Sequence, residues 1–213
     1  TAYEILTCDW SSDVCSSDLF SWGASVSCAM QCGAIPVFAD VDAATFNLDA
    51  ESVTRAVATA KRHGLKPKAV IPVDLFGQPA DYRKLEPIVR REKLRMLVDT
   101  AQAFGATLDG RQTAATGDAA ATSFFPAKPL GCYGDGGACF TNDASLADLL
   151  RSIRMHGQGT DRYEHARIGL NSRLDTIQAA ILIEKLKIFP EEIAARERIA
   201  RRYNALDRKS TRL

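Results

Sequence analysis

The stretch SFFPAKPLGCYGDGGA, Ser123 to Ala138, holds a single lysine, Lys128, between Pro126 and Pro129. An apolar run, Ala119 to Phe125, leads into it, and a glycine-rich turn, Gly131 to Gly137, leads out. The two prolines fix φ and take their positions out of helix. The glycines allow backbone to pass close to a bulky ligand. An arbitrary lysine in a strand connection is a solvated surface group. A solitary amine on a stiffened loop between two strands is also what condensation with a carbonyl group requires.

Around this loop the chain has an ordinary globular composition. It has 213 residues, 46% hydrophobic and 25% charged, enough apolar mass for one sizeable core. A net charge of +1 gives no field that favours nucleic acid or an anionic membrane. No apolar run approaches transmembrane length, and no charged-then-apolar leader is visible. The six cysteines form no dense framework. Cys28 and Cys32 are one helical turn apart on an expected buried face, and Cys132 and Cys139 flank the glycine-rich turn. That spacing is poor for zinc and no histidine supports it, so no metal site is expected. Buried free thiols in a reducing cytoplasm are the expectation.

The ends differ from the middle. Leu6 to Leu19, LTCDWSSDVCSSDL, carries a near-repeat and neither helical nor strand period, and resembles translated sequencing-adapter read-through. Arg208 to Leu213, RKSTRL, resembles its counterpart. The expected organisation is residues 1–19 and 207–213 as foreign or disordered flanks and 20–206 as one domain, incomplete at both ends.

Within that domain, WGASVSCAMQCG from Trp22 reads as a small-residue helix closing at Gly33. Ile35 to Val41 reads as a buried strand. Asp49 caps a helix with Val53, Ala56, Val57 and Ala60 on one face and Gly64 as its stop. Ala69 to Leu75 is a second buried strand, with a turn at Gly77 to Pro79. Asp81 to Lys93 is an amphipathic helix with Leu85, Ile88 and Val89 inward. Leu94 to Val98 is a third strand, ending at Asp99. A short helix and a hairpin-like excursion around Asp109-Gly110 follow. Strands Ala119–Phe124 and Gly137–Thr141 flank the lysine loop. Asn142 or Asp143 caps a helix over Leu146–Met155, ending at Gly157, and Gln158 to Asn171 is polar and irregular. A long helix over Leu174–Leu206 should be broken or kinked at Pro190. Alternating strands and helices imply an α/β fold with a mostly parallel, helix-covered sheet.

The glycines at 131, 134, 136 and 137 do not form GxGxxG before a helix, and no GxxxxGK[ST] occurs, so neither a dinucleotide site nor a P-loop is supported. His156 and His165 show no ligand spacing. Three segments in combination carry a resemblance: VDTAQAFGA (Val98 to Ala106), SFFPAKPLGCYGDGG, and GLNSRLDTIQAA from Gly169. Together they resemble the sugar-nucleotide aminotransferases of the DegT or StrS family. These are pyridoxal-phosphate (PLP) enzymes of fold type I, with an aspartate-aminotransferase-like large domain. The resemblance implies that Lys128 is the catalytic lysine carrying the cofactor. Asp99 would pair with the ring nitrogen, Gln102 with the ring oxygen and Ser123 with the phosphate. Trp22 would stack on the ring, with a core tryptophan as the competing reading. Asn171 would reach the phosphate, and Arg173 the acidic substrate, of the neighbouring subunit's site in a homodimer. Otherwise Arg173 is a first-turn helix residue paired with Asp175.

The family's upstream phosphate loop and C-terminal small domain have no counterpart in these residues. The activity implied is amination of a nucleotide-linked keto sugar, with glutamate as donor, in the cytoplasm. FFPAKPLGCYGDGGA and the run from Arg154 to Thr176 most resemble enzymes that make a 3-amino UDP-N-acetylglucuronate for surface polysaccharide. A PLP-dependent sugar dehydratase of the same family is an alternative, disfavoured by Lys128. A non-catalytic regulator or scaffold on the same fold is another, and it would be expected to lose one of Asp99, Ser123 or Lys128.

Overall fold

The computed structural model describes residues 13–18 (backbone only), 23–161 and 163–207. Strands β1 (Asp13–Asp18), β2 (Ile35–Ala39), β3 (Lys66–Ile71), β4 (Arg95–Asp99), β7 (Ala119–Ser123) and β8 (Gly137–Phe140) form one six-stranded sheet in the order β2-β1-β3-β4-β7-β8. Every pairing is parallel except β7 with β8, which is antiparallel. Strands β5 (Thr107–Leu108) and β6 (Arg111–Gln112) make a separate two-stranded hairpin. The helices are α1 (Gly23–Gln31), α2 (Ala50–Arg62), α3 (Tyr82–Glu92), α4 (Ala144–Arg154) and α5 (Thr176–Leu206). The expected α/β architecture with a mostly parallel sheet is the one observed.

Strand periodicity divides the core between two faces. Val70, Met96, Val98 and Ala120 pack with Val53, Ala56 and Val57 of α2 and Tyr82, Leu85 and Ile88 of α3. Ala69, Ile71 and Leu97 alternate with them and pack with Ala29 of α1. The sheet therefore lies between α1 on one side and α2 with α3 on the other. Helix α2 begins as expected: the Asp49 carboxylate accepts the Ser52 N–H at 2.7 Å, and Glu51 and Lys61–Arg62 complement the macrodipole. Gly64, at φ +73°, follows its C-terminus.

Several expectations are corrected. Asp13 to Asp18 lie in the stretch that showed no strand period, yet they form β1 between β2 and β3. A parallel ladder is made by backbone, so neighbours on both sides can hold a sequence of poor β propensity. Strand β2 is the sheet edge rather than a buried strand, with Ile35 and Phe38 exposed. Cys28 and Cys32 are also exposed, because α1 turns Ser25 and Ala29 inward instead; of the described cysteines only Cys132 is buried. After Asp99 the short helix is replaced by successive turns, with Ala103 N–H bonded to Thr100 and Ala106 N–H to Ala103. The hairpin follows, turning at Asp109 (φ 52°) and Gly110 (φ 76°), both left-handed as a two-residue turn demands. Helix α5 runs through Pro190 without interruption. Its buried Leu182 and Phe189 dock it just before the proline, offsetting one lost backbone bond.

Candidate active site

Parallel strands bring ligands to their carboxyl ends, and Asp99 and Ser123 lie there, with Gln102 and Lys128 on the segments that follow. Asp99 is the last residue of β4 and pairs with Ala121 of β7; Ser123, the last residue of β7, lies two positions further along. On its other side Asp99 bridges to Val73, with its N–H on Pro72 O and its carbonyl receiving the Asp74 N–H. The half-buried Asp99 carboxylate accepts the Ser25 hydroxyl on Oδ2 at 2.7 Å and the Ala101 N–H on Oδ1 at 3.0 Å. Each oxygen keeps a lone pair for one more donor. The contact from Ser25 fixes the first turn of α1 against the strand end.

Gln102 leaves this turn with its Oε1 accepting the Phe76 N–H at 2.9 Å, so the amide NH2 is its outward donor end. Ser123 Oγ accepts the Phe125 N–H at 3.2 Å, which leaves its own proton to donate. Lys128, half-buried, follows in a turn closed by its N–H on Phe125 O at 2.8 Å.

The loop beyond β7 is pinned on its inner side. Phe124 N–H donates to Gly136 O, and Cys132 N–H donates to Phe124 O. The buried Cys132 thiol is directed at Phe124 O and Gly134 O, at 3.0 and 3.1 Å. At Gly131 a Cβ would meet Pro126 O at 2.5 Å and Phe125 O at 2.8 Å, so this return of the chain accepts only glycine. Phe124, Leu130 and Cys132 then pack against Leu182 and Phe189 of α5. Gln178 accepts the Tyr133 N–H at 2.8 Å, and Lys185 reaches Gly131 O. The lysine loop is thus backed by the long helix.

Asn171 and Arg173 are not part of this cluster. Arg173 Nε donates to Asn171 Oδ1 at 3.2 Å, and both side chains are exposed beside the C-terminal end of α4. The surface pairing of Arg173 with Asp175 does not form; Asp175 instead caps α5 through the N–H groups of Ile177 and Gln178. Trp22 lies outside the described residues. Sequence reasoning missed Ser25, visible only as one hydroxyl in a small-residue run. It also missed Asn47 and Asp74, whose polarity in otherwise apolar surroundings was the available signal.

The donor set suits PLP: a carboxylate with a free lone pair and a hydroxyl proton at the carboxyl ends of β4 and β7, with an amide NH2 and an amine on the segments that follow them. Among the described residues no group of three His, Cys, Asp or Glu is placed to hold a metal ion, and no helix is long and apolar enough to cross a membrane.

The model of the DegT/DnrJ/EryC1/StrS aminotransferase family matches residues 12–209. A Pseudomonas aeruginosa protein described as UDP-2-acetamido-2-deoxy-3-oxo-D-glucuronate aminotransferase is 46% identical over 87% of this chain and 50% of its own length. A Geobacillus stearothermophilus protein described as a pleiotropic regulatory protein is 43% identical over 88% of this chain and 48% of its own. The crystal structure of a DegT DnrJ EryC1 StrS aminotransferase from Brucella abortus superposes with a TM-score of 0.89 at 51% identity, covering 91% of this chain and 52% of that one. The chain spans about half the length of the relatives it matches.

Proposed function

The chain belongs to the DegT/DnrJ/EryC1/StrS aminotransferase family, and from that premise we propose that the protein moves an amino group from glutamate to a nucleotide-linked keto sugar, using PLP. The observation that carries this reading is the placement of Asp99 and Ser123 at adjacent strand ends, with Lys128 on the loop that follows. When bound, the cofactor supplies an electron sink for the carbon being deprotonated. Lys128 Nζ would hold the cofactor and, as a free amine, would take and return the proton of the substrate carbon. The Asp99 carboxylate would keep the ring nitrogen protonated through a charge-assisted hydrogen bond. Gln102 would donate to the ring oxygen and Ser123 to the phosphate; the ring-stacking role of Trp22 rests on the family resemblance alone. Asn171 and Arg173, set apart from the cluster, serve the site of a second subunit in a homodimer. There the planar Arg173 fork suits an acidic sugar.

The substrate we infer is a UDP-3-keto-N-acetylhexosuronate destined for surface polysaccharide such as lipopolysaccharide, handled in the cytoplasm. Its support is the described activity of the P. aeruginosa relative. Borohydride reduction of the full-length protein with PLP, followed by peptide mapping, should place the label on Lys128. A label on Lys84, Lys93 or Lys185 would overturn the assignment. A regulatory role is the second reading, favoured by the description of the G. stearothermophilus relative. Full retention of Asp99, Ser123 and Lys128 weighs against it. Turnover of a UDP-3-keto sugar with glutamate separates the two.

A further inference from the structure

Two large side chains near the site, Phe46 and Phe76, both have φ of 58°, a region that bulky residues rarely adopt. Strained backbone persists only where its surroundings impose it, and it clusters at functional sites. Here the restraint is Asn47, which is 2% exposed with its side chain fully committed. Its Oδ1 accepts the Leu75 N–H at 2.9 Å, and its Nδ2 donates to Gln78 O at 2.9 Å and Pro79 O at 3.3 Å. One carboxamide therefore staples both ends of the turn that contains Phe76. Edge-to-face contact of the Phe46 and Phe76 rings, centroids 6.3 Å apart, joins the same two loops again. At the far end, Asp74 Oδ1 takes the Ala80 N–H at 2.8 Å.

The turn directs the Phe76 N–H onto Gln102 Oε1. A carboxamide can present either end, and a fixed N–H donor removes that choice. We propose that Asn47, acting through the left-handed Phe76, is a positioning residue for Gln102. It fixes the turn so that Phe76 N–H takes the amide oxygen and the NH2 is held toward the ligand at the strand ends. Asn47 touches no ligand itself. That the ligand is PLP rests on the reading above; the coupling of Asn47 to Gln102 does not.

The test is amide hydrogen exchange at Phe76 in the full-length protein, with Val98 of β4 as the reporter of intact fold. The Phe76 N–H donates to Gln102 Oε1 at 2.9 Å, so losing that acceptor should weaken the protection of this amide. Gln102→Ala should speed its exchange roughly tenfold or more. Asn47→Ala should do the same with Gln102 intact, and the double variant should add little to either. Asn47→Asp keeps the acceptor for Leu75 but loses both donors, and should fall between. With PLP as the probe, Asn47→Ala should reproduce the change that Gln102→Ala makes in the bound cofactor's absorbance maximum. Unchanged Phe76 exchange in Asn47→Ala with Val98 still protected overturns the proposal, as do additive effects in the double variant. If the exchange coupling holds but no variant binds PLP, the functional reading falls and the positioning of the amide stands.

Discussion

Replacing Asp74 by asparagine should stabilise the protein at neutral pH and leave it unchanged in acid. The carboxyl is fully buried, and its pKa is raised from 3.8 to about 6, chiefly by burial. The charge of Asp99 adds to that rise, while hydrogen bonds from Tyr82 and Ala80 oppose it. An acid with a higher pKa folded than unfolded binds its proton more tightly in the fold. Its contribution to stability is complete below the unfolded value and is lost as pH rises through the folded one. At about 1.36 kcal/mol per pKa unit, the ionised carboxylate costs ~3 kcal/mol above that window.

Asparagine has the same shape, and its oxygen can still accept from Tyr82 Oη and Ala80 N–H, now at 2.6 and 2.8 Å from Asp74 Oδ1. Its NH2 would replace Oδ2, which lies beside Thr113 Oγ1 without a well-formed hydrogen bond at either atom. Urea denaturation followed by circular dichroism should show Asp74→Asn more stable by ~2–3 kcal/mol at about pH 8, with the gap closing below about pH 4. A gap independent of pH, or a variant less stable at the alkaline end, would refute the reasoning.

The remaining predictions concern the site. Lys128→Arg should fold and lose turnover by roughly three orders of magnitude or more, because guanidinium stays charged and cannot act as nucleophile; steady-state assay of the full-length protein decides it. Asp99→Asn should still bind PLP while its single-turnover reaction with glutamate slows by about a thousandfold; a near wild-type rate would remove its electronic role. Mixed Arg173→Ala and Lys128→Ala subunits should regain up to roughly a quarter of wild-type activity, and proven heterodimers without activity would confine Arg173 to its own subunit. Gly131→Ala, whose Cβ would lie 2.5 Å from Pro126 O, should cost about 1–3 kcal/mol by denaturation and weaken PLP binding in titration.

What was legible in the sequence was what local chemistry decides. Asp49 caps α2, Leu85 and Ile88 face inward, and Asp109-Gly110 turns a hairpin because each signal acts within a few residues. Asp99 could be placed at a strand end because an apolar run stops at it, whereas Ser123 and Lys128 were singled out by the segment that holds them. The illegible parts depend on distant partners. DVCSSD becomes β1 only between two strands that it does not encode. Nothing near Phe76 in sequence signals its left-handed backbone, since Asn47, 29 positions earlier, helps impose it. Helix α5 passes Pro190 because Phe189 is held by Phe104 and by the residues that pack around the lysine loop.

Phe104 meets three other rings: Phe124 beyond β7 at 6.1 Å, Phe140 of β8 at 6.0 Å and Phe189 of α5 at 5.6 Å. Phe104 thus joins rings from three other stretches, and its departure would uncover all three. The cooperative unit here cuts across secondary structure: the Asp99 turn, the lysine hairpin and the docked half of α5 should open together. Covalent continuity between them then matters little. A protease nick between α4 and α5 would leave the helix seated, with the two pieces co-migrating until denaturant parts them.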